Sequence, residues 1–162
     1  MTDLKVEGLA ELQALLDDLP AKIEANVVRG GLRAGAQIIA DEAKRLCPVG
    51  DHVPKGETPG ALRESIHVSM RSKHGRVQAS IKAGGKKAWY AHMVEYGTAR
   101  HWIKPKNRKS LFVAGLFKEA IDHPGAKKQP FMRPAIDNKA QEAIEAVRDY
   151  MKSRIEKEAS KK

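Results

Sequence analysis

Apolar positions recur every three or four residues through the first third of the chain, alternate in the middle and return to helical spacing at the end. That order puts helices before and after a small sheet. Leu9, Leu12, Leu16 and Leu19 give a short amphipathic helix through "GLAELQALLDDLP", ended by Pro20. Ile23, Val27, Leu32, Ile39, Ala43 and Leu46 give a longer one, stopped by Pro48. Gly30, Gly31 and Gly35 fall inside it, where each costs about 1 kcal/mol relative to alanine. Either another backbone packs closely against them or the helix kinks there.

"PVGDHVPKGETPG", residues 48–60, holds three prolines and three glycines and has no period, so it is a loop. Loops of about 12 residues without structure of their own tend to serve function or to order on a neighbour. Ile66, Val68 and Met70, then Val77, Ala79, Ile81 and Ala83, alternate with polar residues and form a hairpin through "RSKHGR". "AWYAHMVEY" fits either a strand or two helical turns; Gly97 directly after it suits the left-handed position that closes a helix, which favours the helix. Trp102-Ile103 and Leu111-Phe112-Val113 read as short strands around a very basic loop, and "GLFKEAIDHPGAKKQ" as an arm turning at Pro124-Gly125.

The last stripe, Ile136, Ala140, Ile144, Val147, Met151 and Ile155, predicts an amphipathic helix of about five turns. Pro134 suits its first turn, displaces Arg133 from helical geometry, and Asp137 complements the helix dipole. "EKEASKK" is expected to fray. The fold class is α+β, an antiparallel β-sheet packed with a long N-terminal helix and a C-terminal helix, with an extended loop and arm. One domain is expected over residues 1–157, with the loop 48–60, a basic loop and arm at 99–129, and a flexible basic tail at 158–162.

Charge changes the picture by where it sits. The net charge is +10, and residues 99–133 contribute +7 of it, from nine basic and two acidic side chains, whereas residues 1–50 carry −2. A localised excess fits nucleic acid or an acidic protein surface, and equally a solubilising face. No apolar run approaches the roughly 20 residues of a membrane helix, and the acidic, amphipathic start is unlike a signal peptide, so neither a membrane nor export is expected. Cys47 stands alone, which removes an internal disulfide and a cysteine metal cluster.

Candidate chemistry is thin. His52, His67, His74, His92, His101 and His123 show no metal-ligand spacing, and His92-x-x-Glu95 alone is a common accident. Cys47 with His92 or His101 is the available nucleophile and base, but Cys47 continues an apolar stripe and reads as a small hydrophobe. "AGGKKA" lacks the frame of a phosphate loop. Glu119 and Asp122 are too few carboxylates to hold the magnesium of a nuclease. No enzyme activity and no cofactor are expected. Lys104, Lys106, Arg108 and Lys109 beside Trp102 could instead contact DNA phosphates or an acidic partner.

Three stretches carry a resemblance: "AKRLCPVGDHVPKGETPGALRESI", "YAHMVEYGT" and "QPFMRPA", in that order. Together they resemble the tail-component family of long-tailed bacteriophages, also called neck or tail-completion proteins. Pro59 interrupts the usual Thr-Gly step of the first stretch, and the basic insertion between the other two is carried by only some members. The resemblance implies a non-enzymatic virion protein forming a ring, of six copies, around the DNA channel between head connector and tail. Its neighbours would be head-closure and tail-terminator or tail-tube proteins, and it would be made in the host bacterial cytoplasm. The matching motif positions are Tyr90, Ala91, Val94, Glu95, Tyr96, Gly97 and Thr98, then Pro130, Phe131, Arg133, Pro134 and Ala135, as fold and assembly residues. Glu95 and Arg133, the acid of one motif and the base of the other, are expected to pair through a bidentate guanidinium contact.

Overall fold

The computed structural model describes residues 21–50, 58–73, 76–106, 109–113 and 115–160; the expected helix at 9–19 and most of the loop 48–60 lie outside them. In chain order the elements are α1 (Ala21–Leu46), α2 (Ala61–Ser65), β1 (His67–Lys73), β2 (Arg76–Lys82), α3 (Ala91–Tyr96), β3 (His101–Ile103), β4 (Leu111–Val113), β5 (Leu116–Lys118), β6 (Ile121–His123) and α4 (Met132–Ala159). The class is α+β as expected. The short helix α2, formed where "ALRES" follows Gly60 at φ 85°, was not foreseen because five residues are too few to show a period.

Helices α1 and α4 run antiparallel over most of their length. Val27 packs with Met151 and Ile155 at one end, and Glu42 meets Asn138 near the other. The glycines of α1 make this approach possible. A Cβ on Gly35 would lie 2.6 Å from the Ala143 carbonyl oxygen, and one on Gly31 would lie 2.8 Å from Met151 Cγ. Close packing, and not a kink, is therefore why glycine stands there. Glu42, buried against α4, accepts two 2.7 Å hydrogen bonds from the Arg45 guanidinium and one of 3.3 Å from Asn138 Nδ2. The arginine first and Asn138 second lower its carboxyl to about 2.

The buried face of α4 departs from the sequence reading at its beginning. Ala135, Ala143, Met151 and Ile155 are buried, whereas Ile136 is exposed and Ile144 only half-buried. A regular four-residue step follows a helix that wraps its partner, so the stripe shifts by one position toward the N-terminal end. The helix also starts at Met132, with Phe131 as its cap, so Arg133 is helical despite preceding Pro134. At the other end it continues through Ala159, past the start of "EKEASKK".

The hairpin β1–β2 pairs Val68 with Ile81 and Met70 with Ala79, the alternating positions, and lays Val68 and Ile81 on the core. Ser65 Oγ accepts from the Gly84 N–H at 2.8 Å and donates to the Leu62 carbonyl at 2.6 Å, which ties the end of the hairpin to α2. The main core gathers Ala40, Ala43, Cys47, Leu62, Ile66, Ala88, Ala91, Phe131 and Ala135. Phe131 and Ile66 are its largest fully buried side chains.

Candidate functional site

The motifs "YAHMVEYGT" and "QPFMRPA" meet in space, and between them the chain leaves the core as an arm. Helix α3 is six residues long, with Ala91 and Glu95 buried and Tyr90 and Val94 half-buried against the core. One side of that turn therefore faces inward. Tyr96 points away from it, 79% exposed.

Glu95 is the junction. A helix start leaves backbone N–H groups without helical partners, and at α4 no side chain of the first turn caps them. Pro134 has no N–H, and the remaining three all donate to the Glu95 carboxylate: Phe131 at 2.8 Å and Met132 at 3.0 Å to Oε2, Arg133 at 3.0 Å to Oε1. Every orphan donor of that terminus is thus satisfied by one side chain 36 to 38 residues earlier. Burial pushes the Glu95 carboxyl up, but the three backbone hydrogen bonds outweigh it and the net shift is downward. The helix dipole acts in the same direction. The expected guanidinium pair is absent. The Arg133 side chain is exposed and its Nε lies 3.3 Å from Asp137, one turn along the same helix. Charge counting found the right two residues and the wrong group on one of them.

Gly97 closes α3, its N–H donating to the Met93 carbonyl at 2.9 Å. Its φ of 74° is positive as expected, but ψ is −179°, an extended conformation reserved for glycine and not the left-handed helical one. A Cβ there would lie 2.7 Å from the Ala126 carbonyl oxygen and 2.9 Å from the Lys128 nitrogen. The returning chain is clamped against the departing one. Thr98 and Ala126 exchange backbone hydrogen bonds of 3.0 and 3.1 Å, Thr98 Oγ1 also accepts from Ala126 N–H at 2.9 Å, and Gln129 N–H donates to the Val94 carbonyl at 2.8 Å.

Beyond the clamp the arm is a two-stranded ribbon interrupted once. β3 pairs with β6, matching His101 with His123, Trp102 with Asp122 and Ile103 with Ile121; β4 pairs with β5, matching Phe112 with Phe117 and Val113 with Leu116. Seven residues, 104–110, separate β3 from β4, while only Glu119 and Ala120 separate β5 from β6. The surplus on one side is the basic loop, so Lys104, Lys106 and Lys109 project from one edge; Arg108 lies outside the described residues. Arg100 holds the base of the ribbon through Asp122, with Nε 2.9 Å from both carboxylate oxygens. That contact holds the Asp122 carboxyl below its usual range.

The ribbon is apolar and uncovered. Trp102 is 65% exposed, Phe112 65%, Leu116 62% and Phe117 76%, although the Phe112 and Phe117 rings pack on each other at 5.0 Å. A lone two-stranded ribbon is at best marginally stable in water. Exposed aromatic residues on such a ribbon, rimmed by cations, mark an interaction surface. The alternation that sequence reading uses to find buried faces gave no sign of this, because here neither face is buried within the chain.

No group of three or more metal-ligating residues occurs among the described residues. Cys47 is buried in the core, its thiol raised by burial, and its Sγ contacts the Pro48 carbonyl at 3.7 Å. His92 and His101 are exposed and each places Nδ1 on a nearby backbone carbonyl, of Trp89 and Ala99. Among the described residues nothing assembles Cys47 with either histidine.

A protein-family model described as "Bacteriophage HK97-gp10, putative tail-component" matches residues 10–97, just over half of the chain. The match ends at Gly97, where the arm departs. Comparison with curated proteins and with solved structures gives no match.

Proposed function

The chain belongs to the HK97-gp10-like family of bacteriophage tail components, and from that premise we propose that it builds a ring at the neck or top of the tail. A structural tail protein works among other virion proteins, and no helix among the described residues is long and apolar enough to cross a membrane. In this reading residues 1–157 act as one unit, and the loop 48–60 and the arm 99–129 reach neighbouring subunits. Six copies surround the DNA channel between the head connector or head-closure proteins and the tail terminator or tail tube. Assembly follows synthesis in the host cytoplasm. No catalytic step is assigned.

The observation that carries the reading is the arm: a ribbon with its aromatic side chains in solvent, rooted rigidly by Glu95, Gly97 and Thr98. Rigid rooting fixes direction, and the exposed tip supplies area to bury on another subunit. Negative-stain imaging and light scattering of the purified chain are expected to show a closed ring. The basic loop at 104–109 favours a second reading, a nucleic-acid-binding module. A protein that stays monomeric and binds DNA with an affinity falling steeply with salt would establish that reading instead.

A further inference from the structure

The arm and the start of α1 lie at opposite ends of the helix pair. The arm leaves beside Glu95 and the first turn of α4, the end where Glu42 meets Asn138. Ala21 begins α1 at the other end, about 30 Å from Glu42 along a helix rising about 1.5 Å per residue. Residues 1–20 therefore join the molecule far from its own arm. Their sequence complements that arm: Leu9, Leu12, Leu16 and Leu19 make an apolar stripe, and Asp3, Glu7, Glu11, Asp17 and Asp18 against Lys5 give a net −4. The arm segment offers exposed Trp102, Phe112, Leu116 and Phe117 with a net +7 over residues 99–133.

We infer that residues 1–20 of one copy cover the arm of the next, the leucine stripe on the Phe112 and Phe117 tip and the acidic residues toward the basic loop. Docking within one chain is disfavoured by length. Leu19 is two residues from Ala21, and a helix over residues 9–19 spans only about 16 Å, short of the distance back to the arm root. Contact between opposite ends of successive copies is heterologous, the kind that closes into a ring when its rotation permits. Opposite charge adds to encounter rate and fixes register. The inference rests on the ring-forming reading and names the contact that would build the ring.

Disulfide trapping in the full-length chain tests it. Two differently tagged forms, both Cys47→Ala, carry Leu12→Cys in one and Phe117→Cys in the other, and are mixed and mildly oxidised. A dimer joining the two tags, at least tenfold above either form alone, is expected. A single chain carrying both cysteines that closes only on itself overturns the inference, and so does the absence of any product. Light scattering of the parent chain separates the two levels. Rings without the cross-link leave the proposed function standing and remove this contact; monomers without it remove both; monomers that still cross-link between copies at high concentration support the contact and argue against a pre-formed ring.

Discussion

Glu95 and Phe131, 36 residues apart, are joined by a 2.8 Å hydrogen bond in which the Phe131 backbone N–H donates to the carboxylate. The bond fixes the start of α4 to the end of α3 and so brings both ends of the arm to one point. Phe131 itself is fully buried, which keeps water from competing for the contact.

Removing the acceptor while keeping the donors is therefore expensive. Glu95→Ala is expected to lower stability by about 3 kcal/mol, since buried N–H groups without partners each carry a penalty of that order or somewhat less. Glu95→Gln should cost less, and Arg133→Ala, on an exposed side chain, should stay within about 0.5 kcal/mol. Urea unfolding checks all three. An Arg133→Ala loss equal to that of Glu95→Ala would restore the guanidinium pairing rejected above.

The same site predicts a pH dependence with a definite sign. The folded carboxyl of Glu95 lies below its ordinary value, so its contribution is complete above the unfolded carboxylate range, near pH 4.3, and is lost as pH falls through the lower folded value. The stability gap between the parent and Glu95→Gln should hold constant from about pH 5 to 8 and narrow below about pH 4. A gap unchanged at pH 3 would contradict the assignment.

Two glycines of α1 separate packing from propensity. Alanine at either site gains about 1 kcal/mol of helix propensity. At Gly35 the new Cβ meets the Ala143 backbone at 2.6 Å, which only moving α4 can relieve, so Gly35→Ala should be destabilising by about 1–3 kcal/mol. At Gly30 it meets the phenol ring of Tyr150, a side chain 38% exposed and able to swing outward. Gly30→Ala should then be close to neutral. Thermal unfolding of the pair decides, and equal losses would mean that the helices yield as one body.

These contrasts show what the sequence could reveal. The stripe in α1 and the alternation in β1 and β2 were legible because one side of each faces the core. The shift from Ile136 to Ala135 was not, because wrapping of α4 around α1 depends on the partner. The Glu95 cap left a trace, an acid in one motif and a proline-led helix in the other, but a side chain suggests a charge partner where backbone N–H groups were the answer. The arm hid for the opposite reason, since nothing in its own chain gives its residues an inside.

Cys47 offers a test of the core. Its thiol is raised by burial among Ala43, Leu62 and Phe131, so reaction with a thiol reagent near neutral pH should be slow in the folded protein and rapid after denaturation. Labelling of the native chain within seconds would reopen the nucleophile reading.

The arm tip separates folding from assembly. Phe112 and Phe117 touch each other and are otherwise in solvent, so changing both to serine should leave the main unfolding transition within about 2 °C, the loss of one cross-strand pair being on the order of 1 kcal/mol and confined to the ribbon. If the tip is buried on a neighbour, each ring contributes about 1.5–3 kcal/mol there, and the double substitution should weaken assembly by well over tenfold. Circular dichroism and light scattering on the same sample read both quantities. Intact assembly would move the subunit contact away from the tip, whereas a melting point lowered by many degrees would mean that the two rings belong to the core of the chain itself.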